Sequence, residues 1–221
     1  TYILEKNYFI LYKTIKTFDK YDISLSFRSS LRSKFLNFFI TSNKKYQFNK
    51  NKFINGHQVE KYNNFVNDSI SSAAAAGKLT LYNFDQNKNP SNKLLGINPG
   101  ASYGNAKRWY PVNFAQVAIE LSSKYDIIIL GGANEYQIAA DIEEYLIING
   151  VKNYRNLANK TSINELKSLI SNLDLLITGD SGPMHIAAAF QVPTVAIFGP
   201  TDDKKTCQWM NKKSIIVRKN L

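Results

Sequence analysis

From residue 94 onward, short runs of uninterrupted apolar residues alternate with longer stretches in which apolar residues recur every three to four positions. The runs at 94–98, 126–130, 153–157, 173–178 and 194–198 read as strands, and the periodic stretches at 112–124, 135–149, 163–172 and 184–190 read as helices. Runs such as Ile127-Ile128-Ile129-Leu130 show no polar alternation, so both faces of these strands are expected to be buried. That pattern predicts a parallel sheet covered by helices on both sides and joined by right-handed crossovers. The first 82 residues are less regular. Residues 22–27 alternate like a strand, 28–40 and 57–69 carry helical patterns, and 44–48 form a short strand candidate. These are too few strands for a complete sheet. Residues 83–93 are polar, contain a proline and lack any apolar period, as a connector does. The expected organisation is a partial amino-terminal domain over 1–82, a linker over 83–93 and a carboxy-terminal domain over 94–221. The Ser- and Ala-rich run at 71–77 supports no assignment.

Composition narrows the class. The chain has 221 residues, 44% hydrophobic and 20% charged, which is ordinary globular usage. No apolar run reaches the roughly 18 residues that span a bilayer. A single cysteine, Cys207, excludes an internal disulfide framework. The formal charge of +11 is uneven: residues 1–93 carry 15 Lys/Arg against 6 Asp/Glu, whereas residues 94–221 carry 13 against 11. Such a field steers anionic partners without naming them, so nucleic acid, an acidic membrane surface and a phosphorylated acceptor all fit, as does a Lys- and Asn-rich solvated surface. Thr1 is not an initiator methionine and no signal-peptide pattern follows it.

In a doubly wound sheet, ligands bind beyond the carboxyl ends of the strands, which directs attention to the loops. The first, Asn98 to Pro111, has two glycines that permit tight turns, the Ser102 hydroxyl, and Lys107-Arg108 as cations for an anionic ligand. The second, Gly131-Gly132-Ala133-Asn134-Glu135, offers Asn134 as a helix N-cap; Glu135 then either supports the helix dipole or accepts hydrogen bonds from ribose hydroxyls. The fourth, Thr178-Gly179-Asp180-Ser181-Gly182-Pro183-Met184-His185, puts small residues and a proline at a helix start, where exposed amides and the macrodipole bind phosphate. There is no G-x-G-x-x-G, no G-x-x-x-x-G-K-[ST] and no G-x-S-x-G, which disfavours nicotinamide dehydrogenases, Walker-type NTPases and serine hydrolases. No residue spacing suggests a zinc or magnesium cage.

Taken in order, NPGASYGNAKRWYP, GGANE, NLANKTSINEL, LLITGDSGPMHIAAA and VPTVAIFGPTD resemble the ADP-heptose:lipopolysaccharide heptosyltransferases, with the heptosyltransferase II branch nearest in pattern. The resemblance is strong over about residues 94–209 and weaker over 22–33 and 57–66. It implies an α/β GT-B glycosyltransferase of two Rossmann-like domains, the amino-terminal one incomplete in this chain.

On the matching positions, the resemblance implies that Lys107 contacts the pyrophosphate and Glu135 the ribose. Asp180, Ser181, Gly182, Pro183, Met184 and His185 would line the phosphate and heptose region, and Ser102 and Thr161 would lie near phosphate and adenine. Apart from the resemblance, Arg28 and Arg32 follow a strand and either hold an anionic group of an acceptor through their guanidinium groups or belong to a solvated helix start. The implied reaction is inverting transfer of heptose from ADP-heptose to the inner core of lipopolysaccharide, without a cofactor or metal and without nucleic acid. It would occur in the cytoplasm, with peripheral contact to an anionic inner membrane. The family's base is an Asp in a glycine-containing turn near its amino terminus. No Asp in residues 1–82 matches that motif, so no catalytic base is assigned, and the chain is expected to be part of a longer protein. A nucleotide-binding module without turnover, or a GT-B transferase using another sugar nucleotide, are the competing readings.

Overall fold

A computed structural model of the chain describes residues 4, 6–82, 92–100 and 109–218. It divides into two units, Thr1–Ala76 and Gly77–Leu221. The division falls ahead of the expected boundary at residue 82. Gly77 belongs with the second unit, where its carbonyl accepts a hydrogen bond from the Trp209 indole at 2.9 Å.

The amino-terminal unit runs α1 (Tyr8–Lys16), β1 (Tyr21–Ser26), α2 (Leu31–Phe39), β2 (Ser42–Gln47) and α3 (Gln58–Ile70). Helix α1 is an addition to the sequence reading, because its apolar residues run consecutively from Tyr8 to Tyr12 and blur the helical period. Asn7 caps it, accepting from the amides of Phe9 and Ile10. The helix expected over 28–40 begins only at Leu31, with Ser30 as N-cap, so Arg28 lies in the loop after β1. Strands β1 and β2 pair in parallel around the α2 crossover. Hydrogen bonds tie α2 to this sheet: the Ser24 hydroxyl donates to Asn37 Oδ1 at 2.6 Å and the Asn37 amide donates to the Tyr46 carbonyl at 3.1 Å. An edge-to-face aromatic cluster of Phe27, Phe48 and Phe65, with ring centroids 5.5 to 5.6 Å apart, supplies the apolar packing.

The carboxy-terminal unit is a parallel six-stranded sheet in the order β5-β4-β3-β6-β7-β8. Its strands are β3 (Lys93–Asn98), β4 (Tyr125–Ile129), β5 (Tyr154–Asn156), β6 (Leu175–Gly179), β7 (Thr194–Phe198) and β8 (Ser214–Arg218). The intervening helices are α4 (Pro111–Leu121), α5 (Tyr136–Ile148), α6 (Ile163–Ser171), α7 (Gly182–Phe190) and the single turn α8 (Asp203–Thr206). Five of these strands match the apolar runs; β8 and α8 are additions.

The burial pattern explains the layering. Ile127 and Ile129 point to one face, packing with Phe114 and Ala118 of α4 and Ile142 and Leu146 of α5. Ile128 and Leu130 point to the other, packing with Ile170 and Ala187. Each central strand therefore needs apolar residues at every position, which is why the sequence shows runs instead of alternation.

Candidate functional site

Strand β3 has β4 on one side and β6 on the other, so the chain reverses its winding direction there. A crevice opens at such a switch point, beyond the carboxyl ends of the strands. Five contacts join the loops at that end. Between β3 and β6, the Asn98 amide donates to the Thr178 hydroxyl at 2.9 Å and to the Ser181 hydroxyl at 2.8 Å. Between the β6 and β7 loops, the Thr201 hydroxyl donates to Asp180 Oδ2 at 2.9 Å. The Asn159 amide donates to the Gly131 carbonyl at 2.9 Å, joining the β5 and β4 loops. Finally, Glu135 lies against Gly100: a Cβ on that glycine would sit 2.7 Å from Glu135 Cδ. The backbone can approach the carboxylate there only because Gly100 has no side chain.

Glu135 is not in the first turn of a helix capped by Asn134. Residues Ala133–Glu135 form a 3₁₀ turn capped at Gly132, and Glu135 is itself the N-cap residue of α5. Its Oε2 accepts the Gly132 amide at 2.6 Å, and the residue is 6% exposed. The cause is local: with two glycines before it, the chain turns tightly enough for the carboxylate to fold back on its own turn.

At the start of α7, Ser181 is the N-cap residue with extended backbone, yet its side chain caps nothing. Pro183 brings no amide, and the Met184 amide bonds back to the Ser181 carbonyl at 3.2 Å. Gly182 is exposed, with open space within 4 Å of where a Cβ would stand. An α-helix start of this kind concentrates positive potential, suited to an oxyanion. Met184 has its side chain fully buried against Ala196 and Phe198, which leaves only its backbone near the crevice end. His185 is half-buried one position further along α7, and Thr161 is half-buried in the loop before α6. Arg28 belongs to the amino-terminal unit and is exposed; its carbonyl accepts the Ser33 hydroxyl at 2.7 Å, which fixes its backbone. Lys107 and Ser102 lie outside the described residues.

The sequence reading missed Asn98, Thr178 and Thr201 as parts of the site. A usable signal was present for the first two: each is a polar residue near the end of an otherwise apolar strand, where its side chain needs a buried partner.

Comparison with known proteins bears directly on this arrangement. Residues 11–221 match the family model for glycosyltransferase family 9 (heptosyltransferase). The chain belongs to glycosyltransferase family 9. The lipooligosaccharide heptosyltransferase 2 of Campylobacter jejuni (serotype O:2) is 41% identical over 212 residues, covering 93% of this chain and 66% of that relative. The chain thus spans slightly under two thirds of the length of that relative. Among solved structures, E. coli ADP-heptose lps heptosyltransferase II aligns with a TM-score of 0.77 at 22% identity, over 94% of this chain and 71% of that one. E. coli heptosyltransferase WaaC, solved with ADP, aligns with a TM-score of 0.73 at 17% identity, over 94% and 71%. The family 9 chain therefore has the α/β GT-B heptosyltransferase fold, with its amino-terminal Rossmann-like domain represented in part. Among the described residues no helix is long and apolar enough to cross a membrane.

Proposed function

We propose that the chain carries the donor-binding half of an inverting glycosyltransferase that moves heptose from ADP-heptose to the inner core of lipopolysaccharide. The observation that carries this reading is the match of residues 11–221 to glycosyltransferase family 9, together with an exposed, glycine-bearing helix start at the switch point of the sheet. The diphosphate of the donor would lie on the α7 amides, with Lys107 and Ser102 closing over it and Asp180 and His185 bordering the sugar. Glu135 would accept from the ribose hydroxyls. Capping Gly132 is compatible with this, since a carboxylate has about four lone-pair sites. Thr161 would lie near the adenine.

The chemistry follows from the charge that develops. As the bond between the anomeric carbon and the β-phosphate oxygen breaks, negative charge grows on departing ADP, where helix amides and the Lys107 ammonium stabilise it. The anomeric carbon becomes oxocarbenium-like, and the acceptor hydroxyl attacks the opposite face while a base takes its proton. The described residues supply no assigned base. A dipole contribution of about 0.3 to 2 kcal/mol and a charge-assisted hydrogen bond of roughly 1.5 to 3 kcal/mol are individually modest, so tight donor binding needs both.

Arg28 would hold an anionic group of the acceptor. The basic excess of residues 1–93 would bring the protein to an anionic inner-membrane surface from the cytoplasmic side. Exposed Phe9 and Phe38, each with a lysine over its ring, support an interfacial role. Calorimetry with ADP, UDP and GDP tests the donor, and ADP is expected to bind most tightly. Turnover of ADP-heptose on a lipopolysaccharide core acceptor tests the enzyme. ADP binding without turnover would favour a nucleotide-binding module, and preference for UDP or GDP would favour another sugar nucleotide.

A further inference from the structure

Of the described N-cap residues with polar side chains, Asn7, Ser30, His57, Ser162 and Asp202 cap their helices with them, whereas Tyr110 and Glu135 do not. Ser181 has chemistry as suitable as that of Ser30 and Ser162 and does not cap its helix. Its hydroxyl is held elsewhere: it accepts from the Asn98 amide at 2.8 Å, lies 3.2 Å from the Thr178 hydroxyl and donates to the Gly179 carbonyl at 3.3 Å. Asn98 is 3% exposed and Thr178 fully buried, so these partners cannot swing away into water. The Thr178 hydroxyl also donates to the Gly179 carbonyl at 2.9 Å, which fixes its orientation within the group.

We propose that Asn98 and Thr178 are positioning residues that hold the Ser181 side chain away from the α7 amides, keeping that helix start open to the donor diphosphate. The inference rests on the donor-site reading given above. A serine cap and an anion would compete for the Met184 amide, the one α7 amide a Ser181 side chain can reach because Pro183 has none; in the structure that amide donates to the Ser181 carbonyl at a long 3.2 Å. Released from Asn98, Ser181 would turn onto its own helix, and the diphosphate would have to displace it. A serine cap is worth about 1 kcal/mol, which corresponds to about a fivefold loss of ADP affinity. The same geometry links β3 to the donor loop, because Asn98 ends one strand while Thr178 and Ser181 end and follow the other.

The test is a double-mutant cycle read by calorimetry with ADP, on the natural chain and on Asn98→Ala, Ser181→Ala and the pair together. Asn98→Ala is expected to weaken ADP about fivefold when Ser181 is present and less than about twofold when residue 181 is alanine. A residue that merely supports the fold would weaken binding equally in both backgrounds, and equal losses, or no loss from Asn98→Ala, would overturn the proposal. Should Asn98→Ala fail to show a cooperative thermal transition, the same cycle is run with Thr178→Val, for which a loss of about two- to threefold and the same dependence on Ser181 are expected. A natural chain that does not bind ADP removes the donor-site reading and this proposal with it. ADP binding with no coupling to Ser181 removes this proposal alone.

Discussion

Replacing Gly100 by alanine probes the closest approach at the switch point. The added Cβ would stand 2.7 Å from Glu135 Cδ and 3.1 Å from Oε1, with Cγ nearer still. Carbon contacts are comfortable at about 3.5 to 4.0 Å, so the glutamate must retreat by about 1 Å. It has little room. Its Oε2 is bonded to the Gly132 amide at 2.6 Å, and the residue is 6% exposed. Overpacking of this kind costs about 1 to 3 kcal/mol, and loss of the charge-assisted hydrogen bond about 1.5 to 3 kcal/mol. The two overlap, and a net destabilisation of about 2 to 4 kcal/mol is expected. At roughly 2 to 4 °C per kcal/mol, thermal denaturation should show a drop of about 5 to 15 °C. In a Glu135→Ala background, where the obstruction is gone, the same substitution should cost less than about 1 kcal/mol. An equal penalty in both backgrounds, or none in either, would refute this account of why residue 100 is glycine.

Three further outcomes are expected. Lys107→Ala should weaken ADP binding by on the order of 2 kcal/mol, about thirtyfold, and unchanged affinity in calorimetry would remove its assigned role. Met184→Ala, at a fully buried position, should lower stability by about 2 to 5 kcal/mol in chemical denaturation. Its effect on ADP affinity in the folded fraction should stay within about twofold, because the side chain packs on β7 and not on ligand. At α6, the Ser162 amide and hydroxyl hold the Glu165 carboxyl below its ordinary value of 4.5. A depressed folded value means that the ionised carboxylate stabilises the protein above about pH 4.5 and that this stabilisation is lost as pH falls through the folded value. Glu165→Gln should therefore lie below the natural chain in melting temperature at pH 7, with the gap closing near pH 3; a constant gap would contradict the capping-box account.

The parts of the fold readable from sequence were those in which one physical requirement acts at every residue. Ile127 to Leu130 must be apolar throughout because successive side chains enter opposite layers, and that requirement is visible as a run. Helix α1 was missed because Tyr8 to Tyr12 serve both an inner face, at Leu11, and exposed aromatic positions, which hides the period. The loops at the switch point were legible through their glycines and their order. What they do with their side chains was less so. Helix phase alone could have turned Met184 inward with Ala187 and Ala188, at spacings of three and four. The bond from Asn98 to Ser181, by contrast, spans 83 positions in the chain and has no local pattern. Its existence depends on β3 and β6 being neighbours, which strand order decides. Glu135 was placed in the right loop but in the wrong turn, since a 3₁₀ turn after two glycines and an ordinary first helical turn have the same composition.

The central claim is that a diphosphate sits on the start of α7. Backbone amide NMR of the chain, titrated with ADP, tests it at the atoms concerned. The account predicts saturable shifts that are largest at Ser181, Gly182, Met184 and Lys107, and smaller ones at Glu135 that adenosine alone also produces. Saturable shifts confined to another part of the sheet, or none at the α7 amides at saturating ADP, would contradict it.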